Sequence, residues 1–583
     1  MAMSRAERLG TSVRGRGVRL PRQSLFFIAV VAVVVFLVLV PLVVMIYYSL
    51  RTAGPAEATA TFTLANYARA YLNPATYRLL GNTVLFSAGS LALGTAIGTG
   101  FAWLVERTNV PLRGLAYVLV PLSGATPGVL FAISWVLILS PRIGLLNLPF
   151  VRGLGWETGP INPFTLTGMI FVEGIRVSSS VFLMMVGLFR SMDSSLEEAA
   201  TMSGATTATV LRRVTLPMMA PGLFGVVIFT ATYLIGSFEV PAIMGLPGGI
   251  EVFSTRVFLA TRRTPRDYGM AGSLSTLFVI FGLVGILLYH RALRKQERFA
   301  TVTGKGYRPG IVDLGRKKAL GTAAILLYAA VAIGLPLFIL VWASFTPFYQ
   351  PPSLAALGSL SIRSYTTLLE LPYMFDAVKN TLVLLIIVPT ATMVLSTVVS
   401  WIVVRTKVKG RKSLDFLAFV PHAMPSIVIG LAFMLFYLTF TAIPIYGTVW
   451  VIALGLITSY IAFGSRTMNG AMFQLHHELE EAAHVHGASL FTAFRRVVVP
   501  LLIPSVIGGW IWIAMHSVRE LSIALMLSSA SSRPVSVLIW DFWQVGEVPR
   551  TAAMGVLLTG FVVLLLVLGR RLTNSKDEAS LRS

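Results

Sequence analysis

The chain contains no cysteine, which excludes disulfides, thiolate metal sites and cysteine nucleophiles. Charge is scarce too: Asp, Glu, Lys and Arg make up 12% of the residues, against about 25% in a soluble domain. Also missing is a GxxxxGK[ST] phosphate loop. Lys305, in TVTGKGY, lacks the glycine spacing and the following hydroxyl. No catalytic constellation stands out either, so the chain reads as neither an enzyme nor a nucleotide-driven motor in its own right.

What is abundant is uncharged, apolar sequence. Hydrophobic residues are 55% of the chain and mean hydropathy is +0.79. A bilayer-crossing helix needs roughly 20 apolar residues, and LFFIAVVAVVVFLVLVPLVVMIYY, Leu25 to Tyr48, is the clearest run. Arg5, Arg8, Arg14, Arg16, Arg19 and Arg22 precede it, as in a signal peptide, but its apolar core is longer than the 7–15 residues of one. Apolar windows predict an all-α integral membrane protein with about twelve spans: 25–48, 80–104, 115–139, 165–189, 218–240 and 270–290, then 319–344, 378–403, 414–440, 446–466, 502–526 and 551–569. The fourth and tenth are the weakest, because they contain polar or small residues.

An even number of spans places both termini on one side of the membrane. With the amino terminus inside, the basic stretches ERTNVPLRG, RALRKQERFATVTGKGYRPGIVDLGRKK, RTKVKGRKS and the tail from GRRL all lie inside, which follows the positive-inside bias. Topology then accounts for the net charge of +23 without nucleic acid as a partner. Arg256, Arg262, Arg263 and Arg266 disagree, because they fall in an expected outer loop.

The sequence also repeats. LEEAATMSGATTATVLRRVTLPMMAP begins at Leu196, and LEEAAHVHGASLFTAFRRVVVPLLIP begins 283 residues later at Leu479. GNTVLF at Gly81 is echoed by KNTLVLL at Lys379, WLVERT at Trp103 by WIVVRT at Trp401, and VPLSGATPG at Val120 by VPHAMPS at Val420. Each half is therefore one six-span unit in the same orientation, and parallel repeats of this kind suggest a path between the halves. The expected order is a basic segment 1–24, a first unit 25–290 with a loop at 196–217, a linker 291–318, a second unit 319–569 with a loop at 479–500, and a tail 570–583.

The repeated phrase has a local logic. Glu197 and Glu198 sit in the opening turn of a helix, where acidic groups favour the positive end of its dipole. Ala199 and Ala200 leave a small surface. Gly204 marks a bend that calls for positive φ. Arg212 and Arg213 close a second helical stretch, and Pro217 marks the exit toward the next span. Glu480, Glu481, Ala482, Ala483, Gly487, Arg495, Arg496 and Pro500 repeat the plan. One copy alone would suit an amphipathic helix on the lipid surface, but lipid does not require Glu, Gly and Pro at fixed separations twice. The two copies read as a pair of docking knobs.

EAA, three residues, Gly, and a proline thirteen positions later resembles the signature cytoplasmic loop of permeases in binding-protein-dependent ABC importers. The resemblance implies the type I importer permease fold and makes the two phrases coupling loops, each seated on one of two cytoplasmic ABC ATPase subunits. ATP and Mg would be bound by those subunits, and this chain would bind no cofactor or resident metal. It further implies an extracytoplasmic substrate-binding protein, a small solute or metal ion as cargo, and a multi-pass place in the bacterial inner membrane. FQLHHELEEAAHVHGAS and HSVRELS look most like the iron(III) group of fused permeases, with thiamine or 2-aminoethylphosphonate importers as the alternative.

Ionisable residues within spans are expensive and usually face a protein interior or an aqueous path. His516, Arg519 and Glu520 stand in GGWIWIAMHSVRELSIALML, and Glu239 is the rough counterpart of Glu520 in the first half. They are candidate pathway residues, with a structural Arg519–Glu520 arrangement at the outer interface as the alternative. Glu173 and Arg176, three apart, are placed to pair on one helical face. His476, His477, His484 and His486 crowd the second loop, but HExxH fails because Glu481 stands where the second His belongs. An ion-coupled secondary transporter would show interrupted spans or buried carboxylates, and it leaves the twin phrases unexplained.

Overall fold

In lipid every backbone polar group must be satisfied within the chain, so long apolar runs have the helix as their only solution. The computed structural model bears this out. It describes residues 22–55, 57, 59–192, 195–296 and 311–580, and among them β-structure is limited to isolated bridges. Most of the basic amino-terminal segment, the linker residues 297–310 with Lys305, and residues 581–583 lie outside the described residues.

The first half comprises α1 (Arg22–Ser49), α2 (Pro74–Arg107), α3 (Arg113–Leu122), α4 (Gly128–Leu139), α5 (Leu166–Arg190), α6 (Ser195–Met202), α7 (Thr207–Ile235), α8 (Phe253–Arg262) and α9 (Tyr268–Gln296). The second half repeats the order with α10 (Gly315–Ser344), α11 (Met374–Arg405), α12 (Arg411–Ala423), α13 (Ser426–Thr439), α14 (Val449–Gln474), α15 (Glu478–Val485), α16 (Phe491–Arg519), α17 (Ser522–Leu527), α18 (Val535–Gln544) and α19 (Val548–Ser580). Among the described residues, ten helices are continuous, long and apolar enough to cross a membrane.

The twelve expected windows differ from these ten at two equivalent places. The window 115–139 is split into α3 and α4, and 414–440 into α12 and α13, which meet at 108°. Pro127 and Pro425 hold the same extended backbone at the two breaks (φ −52°, ψ 135° and φ −55°, ψ 139°), where proline can neither donate to the preceding turn nor let its neighbour stay helical. Irregular backbone inside a membrane is tolerated only when enclosed by protein or lining a cavity, and Ser123, Ala125, Thr126, Ala423 and Met424 are all buried. Every residue of α4 is buried, which explains a helix that is apolar all round.

The weakest expected spans become the most enclosed ones. α5 and α14 have 67% and 61% of their apolar windows buried, more than any other span. Their polar and small residues meet protein: Ser400 donates to the Ser465 carbonyl at 3.0 Å, and a Cβ on Gly98 would lie 2.7 Å from the Ser178 carbonyl. Small residues let α2 approach α5, and α11 approach α14, as they do in other membrane helix pairs.

The two halves are interleaved. α1 packs on α13, with Phe36 against Phe436 at 5.6 Å and Thr439 donating to the Tyr48 hydroxyl at 3.1 Å. Reciprocally, α10 packs on α4, Tyr328 shares hydrogen bonds with Ser123 (2.8 Å) and Ser178 (2.9 Å), and Tyr349 donates to the Leu137 carbonyl at 2.9 Å. The arginines that disagreed with the charge rule are committed to structure. Arg256 and Arg263 pair with Glu251, and Arg262, on α8, donates across the halves to the Leu525 carbonyl at 2.6 Å.

Candidate functional site

The repeated phrase folds the same way twice. α6 ends in a Schellman motif: Ala205 N–H donates to the Ala200 carbonyl at 3.1 Å, Gly204 N–H to Thr201 at 3.0 Å, and Gly204 takes φ +84°. Ala488 N–H donates to Ala483 at 3.0 Å, and Gly487 takes φ +83°. The Ala-x-x-x-Gly spacing is the one this motif requires. Thr206 and Ser489 then cap the next helices by accepting from the N–H groups of Thr209 (3.3 Å) and Thr492 (3.2 Å).

Here one expectation is corrected. Pro217 and Pro500 do not end a short helix before the span, because α7 and α16 run through them without a break. Each helix widens into a π-turn instead, at Leu211–Thr215 and Phe494–Val498. The wider turn accommodates the missing proline N–H and moves its ring off the carbonyl four residues back.

The phrase's two glutamates point to different surroundings. Glu197 is buried: Thr215 donates to its Oε1 at 2.6 Å, and Arg107 Nε lies 3.4 Å from its Oε2. Arg107, itself 1% exposed, also donates to the carbonyls of Phe189 (3.1 Å) and Met192 (3.3 Å) at the end of α5. In the second half Arg405 Nε lies 3.0 Å from Glu480 Oε1, and Arg405 Nη2 donates to the carbonyls of Met472 (2.9 Å) and Leu475 (2.7 Å). Glu198 and Glu481 are exposed, as are Ala199 and Ala482, while Ala200 and Ala483 are half-buried. Leu196 and Leu479 are exposed as well, and Met202 and Val485 are 90% and 84% exposed, leaving an apolar tip on each loop. His477 lies 3.7 Å from Glu481, and His486 Nδ1 is 2.8 Å from the Ala482 carbonyl. The His484 side chain lies outside the described residues.

The membrane ionisables gather where the halves meet. Arg176 grips Glu173 with two nitrogens (3.0 and 2.5 Å), donates to the Tyr233 hydroxyl at 2.7 Å, and lies 3.8 Å from Glu239. Ser237 donates to Glu173 at 3.2 Å. Gly128 gives Glu239 its room, since a Cβ there would occupy the place of a carboxylate oxygen. From the second half, Arg519 donates to the Gly124 carbonyl at the α3–α4 break and contacts His516 Nε2 at 2.6 Å. The His516 ring stacks on Trp512 at 3.7 Å. Arg519 and Glu520 turn to different partners: Glu520 accepts from Ile523 N–H (3.1 and 3.0 Å), capping α17. Buried charge is tolerated when paired and hydrogen-bonded; the ion pairs here lie within the first half, Arg176 with Glu173 and Glu239, while Arg519 reaches across the interface through its hydrogen bond to Gly124.

The sequence reading missed Arg107, Arg405, Gly124, Gly128 and Tyr233. For the arginines a signal existed, the WLVERT and WIVVRT echo. For Gly124 and Gly128 only the proline-marked break could have pointed to them.

Residues 93–301 and 393–575 each match the family described as binding-protein-dependent transport system inner membrane component. Among similar proteins, a ferric transport system permease protein of Actinobacillus pleuropneumoniae is 23% identical over 504 residues, covering 84% of this chain and 70% of the relative. An Fe(3+)-transport system permease protein of Haemophilus influenzae is 21% identical over 558 residues, covering 94% and 99%. A putrescine transport system permease protein of Escherichia coli is 25% identical over 209 residues, covering 35% and 73%. A solved bacterial ABC transporter for alginate import is similar to 45% of this chain and 96% of its own, with a TM-score of 0.38 and 16% identity.

Proposed function

Because this chain belongs to the family of binding-protein-dependent transport system inner membrane components, we propose that it is the permease subunit of an ATP-driven importer, with two permease halves fused in one polypeptide. α6 and α15 would be its coupling helices, each seated on a cytoplasmic ABC ATPase subunit, with both termini on that side of the membrane. An extracytoplasmic binding protein would deliver the cargo. Iron(III) is the cargo the relatives favour, because two ferric permeases match over most of this chain.

The observation that carries the reading is the duplicated loop. Two loops with the same Schellman turn, a first glutamate turned inward to an arginine and an exposed apolar tip, 283 residues apart, ask for two copies of one partner. Exposed apolar patches rimmed by charge mark interaction surfaces. Closing and opening of the ATPase pair would move one half against the other. The interface cluster of Arg176, Glu239, His516, Arg519 and Glu520 lies where such motion would open and close a path. Broken spans and buried carboxylates also occur in ion-coupled transporters, but the family and the twin loops favour an ATPase-driven importer.

The test is assembly. The solubilised chain is expected to co-purify with two ATPase subunits, and Glu198→Lys with Glu481→Lys should abolish that association while leaving membrane insertion intact. Undiminished association of this double variant would overturn the coupling-loop assignment.

A further inference from the structure

We propose that Arg107 and Arg405 are positioning residues that clamp each coupling loop rigidly to its own half of the permease, and that Glu197 and Glu480 are their internal partners rather than ATPase contacts. The proposal rests on the coupling-loop reading and divides the two glutamates of each phrase: the first faces inward to the clamp and the second outward to the partner.

Each arginine joins three elements. It is the last residue of α2 or α11, it reaches the carboxyl-terminal carbonyls of α5 or α14, and it meets the carboxylate opening α6 or α15. A guanidinium suits this task because its planar fork carries five donors at fixed angles. The helix carboxyl terminus also favours a cation. The contacts repeat in register: Phe189 and Met472, Met192 and Leu475, and Glu197 and Glu480 are each 283 residues apart. The arginine belongs to the helix pair packed through small residues in each half, so a displaced loop must carry α2 with α5, or α11 with α14. Without the clamp the loop would be free to pivot about its glycine turn, and motion of the ATPase would be lost there.

The two clamps are not equal. In the first half Thr215 holds Glu197 as well. The residue at the same offset in the second half is Val498, which carries no hydroxyl. Arg405 should therefore be the less replaceable of the two, and Thr215→Val should make the first half behave like the second.

The chain's lack of cysteine permits a direct test. A single nitroxide on Val485→Cys, in the full-length chain in nanodiscs without ATPase, reports loop mobility. Arg405→Ala and Glu480→Ala are each expected to mobilise the label, and the double variant to mobilise it no further than the stronger single change, as for residues acting as one unit. With ATPase and binding protein restored, each should lower solute imported per ATP hydrolysed by roughly 2- to 30-fold. On a Met202→Cys label, Thr215→Val alone should have little effect but should enlarge that of Arg107→Ala. Unchanged mobility, or additive effects of Arg405→Ala and Glu480→Ala, would overturn the clamp. A mobilised label with normal import per ATP would overturn its part in transmission. Loss of ATPase binding in Glu198→Lys/Glu481→Lys is a separate readout, so the clamp and the docking assignment can fail independently.

Discussion

Replacing Gly204 and Gly487 isolates the geometry of the loops from their chemistry. Both glycines hold left-handed φ, and a Cβ built on either meets no atom within 4 Å. The cost of a side chain is therefore conformational and not steric: about 1–2 kcal/mol for an ordinary L-residue in this region, or roughly 5- to 30-fold in the population of the native turn. Asn visits this region more readily, whereas a β-branched Val resists it. The expected order of damage is thus Asn, then Ala, then Val. If bulk against a partner governed instead, Ala would be mildest and Asn and Val would be alike. Each variant would be made at both positions, reconstituted with ATPase subunits and binding protein, and assayed for transport and ATP hydrolysis in the same vesicles. Import per ATP should fall in the stated order while membrane insertion is retained. Normal coupling in the double Val variant would refute the reasoning outright, and Asn damaging more than Ala would refute the conformational account.

Gly128→Ala should push Glu239 away from Arg176, because the new methyl group takes the carboxylate's place. Import should fall while co-purification with the ATPase stays normal, and an unchanged import rate would argue against a pathway role for the cluster. Pro217→Ala and Pro500→Ala restore a backbone N–H beside the π-turns and should let each tighten toward regular α-helix. The helix above would then rotate relative to its loop, which distance measurements between labels at Met202 and on α7 would detect. Asp313, outside the spans, is held from 3.8 down to about 2 by the Gly315 N–H, the Asn109 amide and Lys318. A carboxyl lowered on folding stabilises above its unfolded pKa and loses that contribution as pH falls from there through its folded pKa. Amide protection at Leu314 and Gly315 should therefore hold from neutral pH to about 4 and decline below it, and Asp313→Asn should remove the dependence.

Much of the architecture was legible because membrane helices are selected by apolar length and because this chain states its plan twice. The 283-residue register located both loops, the glycines that carry positive φ, and the equivalence of the halves. Hydropathy failed where it sums residues without regard to backbone. Windows 115–139 and 414–440 are apolar enough to span, yet Pro127 and Pro425 break them. It also undervalued α5 and α14, whose polar residues face protein and not lipid. Proline usually closes a helix, which makes Pro217 an expected end, whereas a π-turn lets the chain continue. Glu173–Arg176 pairing was visible from i,i+3 spacing, but the bond from Arg519 to Gly124 joins residues 395 positions apart and left no local trace. The clamps at Arg107 and Arg405 stood in the echoed segments, yet the carbonyls they grip cannot be read from side-chain letters.

The most direct test of the central claim is uptake of radiolabelled iron(III) in cells with and without this chain, its ATPase and binding protein present throughout, with thiamine and 2-aminoethylphosphonate in parallel. The expected result is iron accumulation that requires the chain and vanishes when the ATPase is inactivated. Accumulation of another solute under the same ATPase dependence would contradict iron(III) as the cargo. Uptake that persisted with an inactive ATPase and followed an ion gradient would contradict the importer mechanism itself.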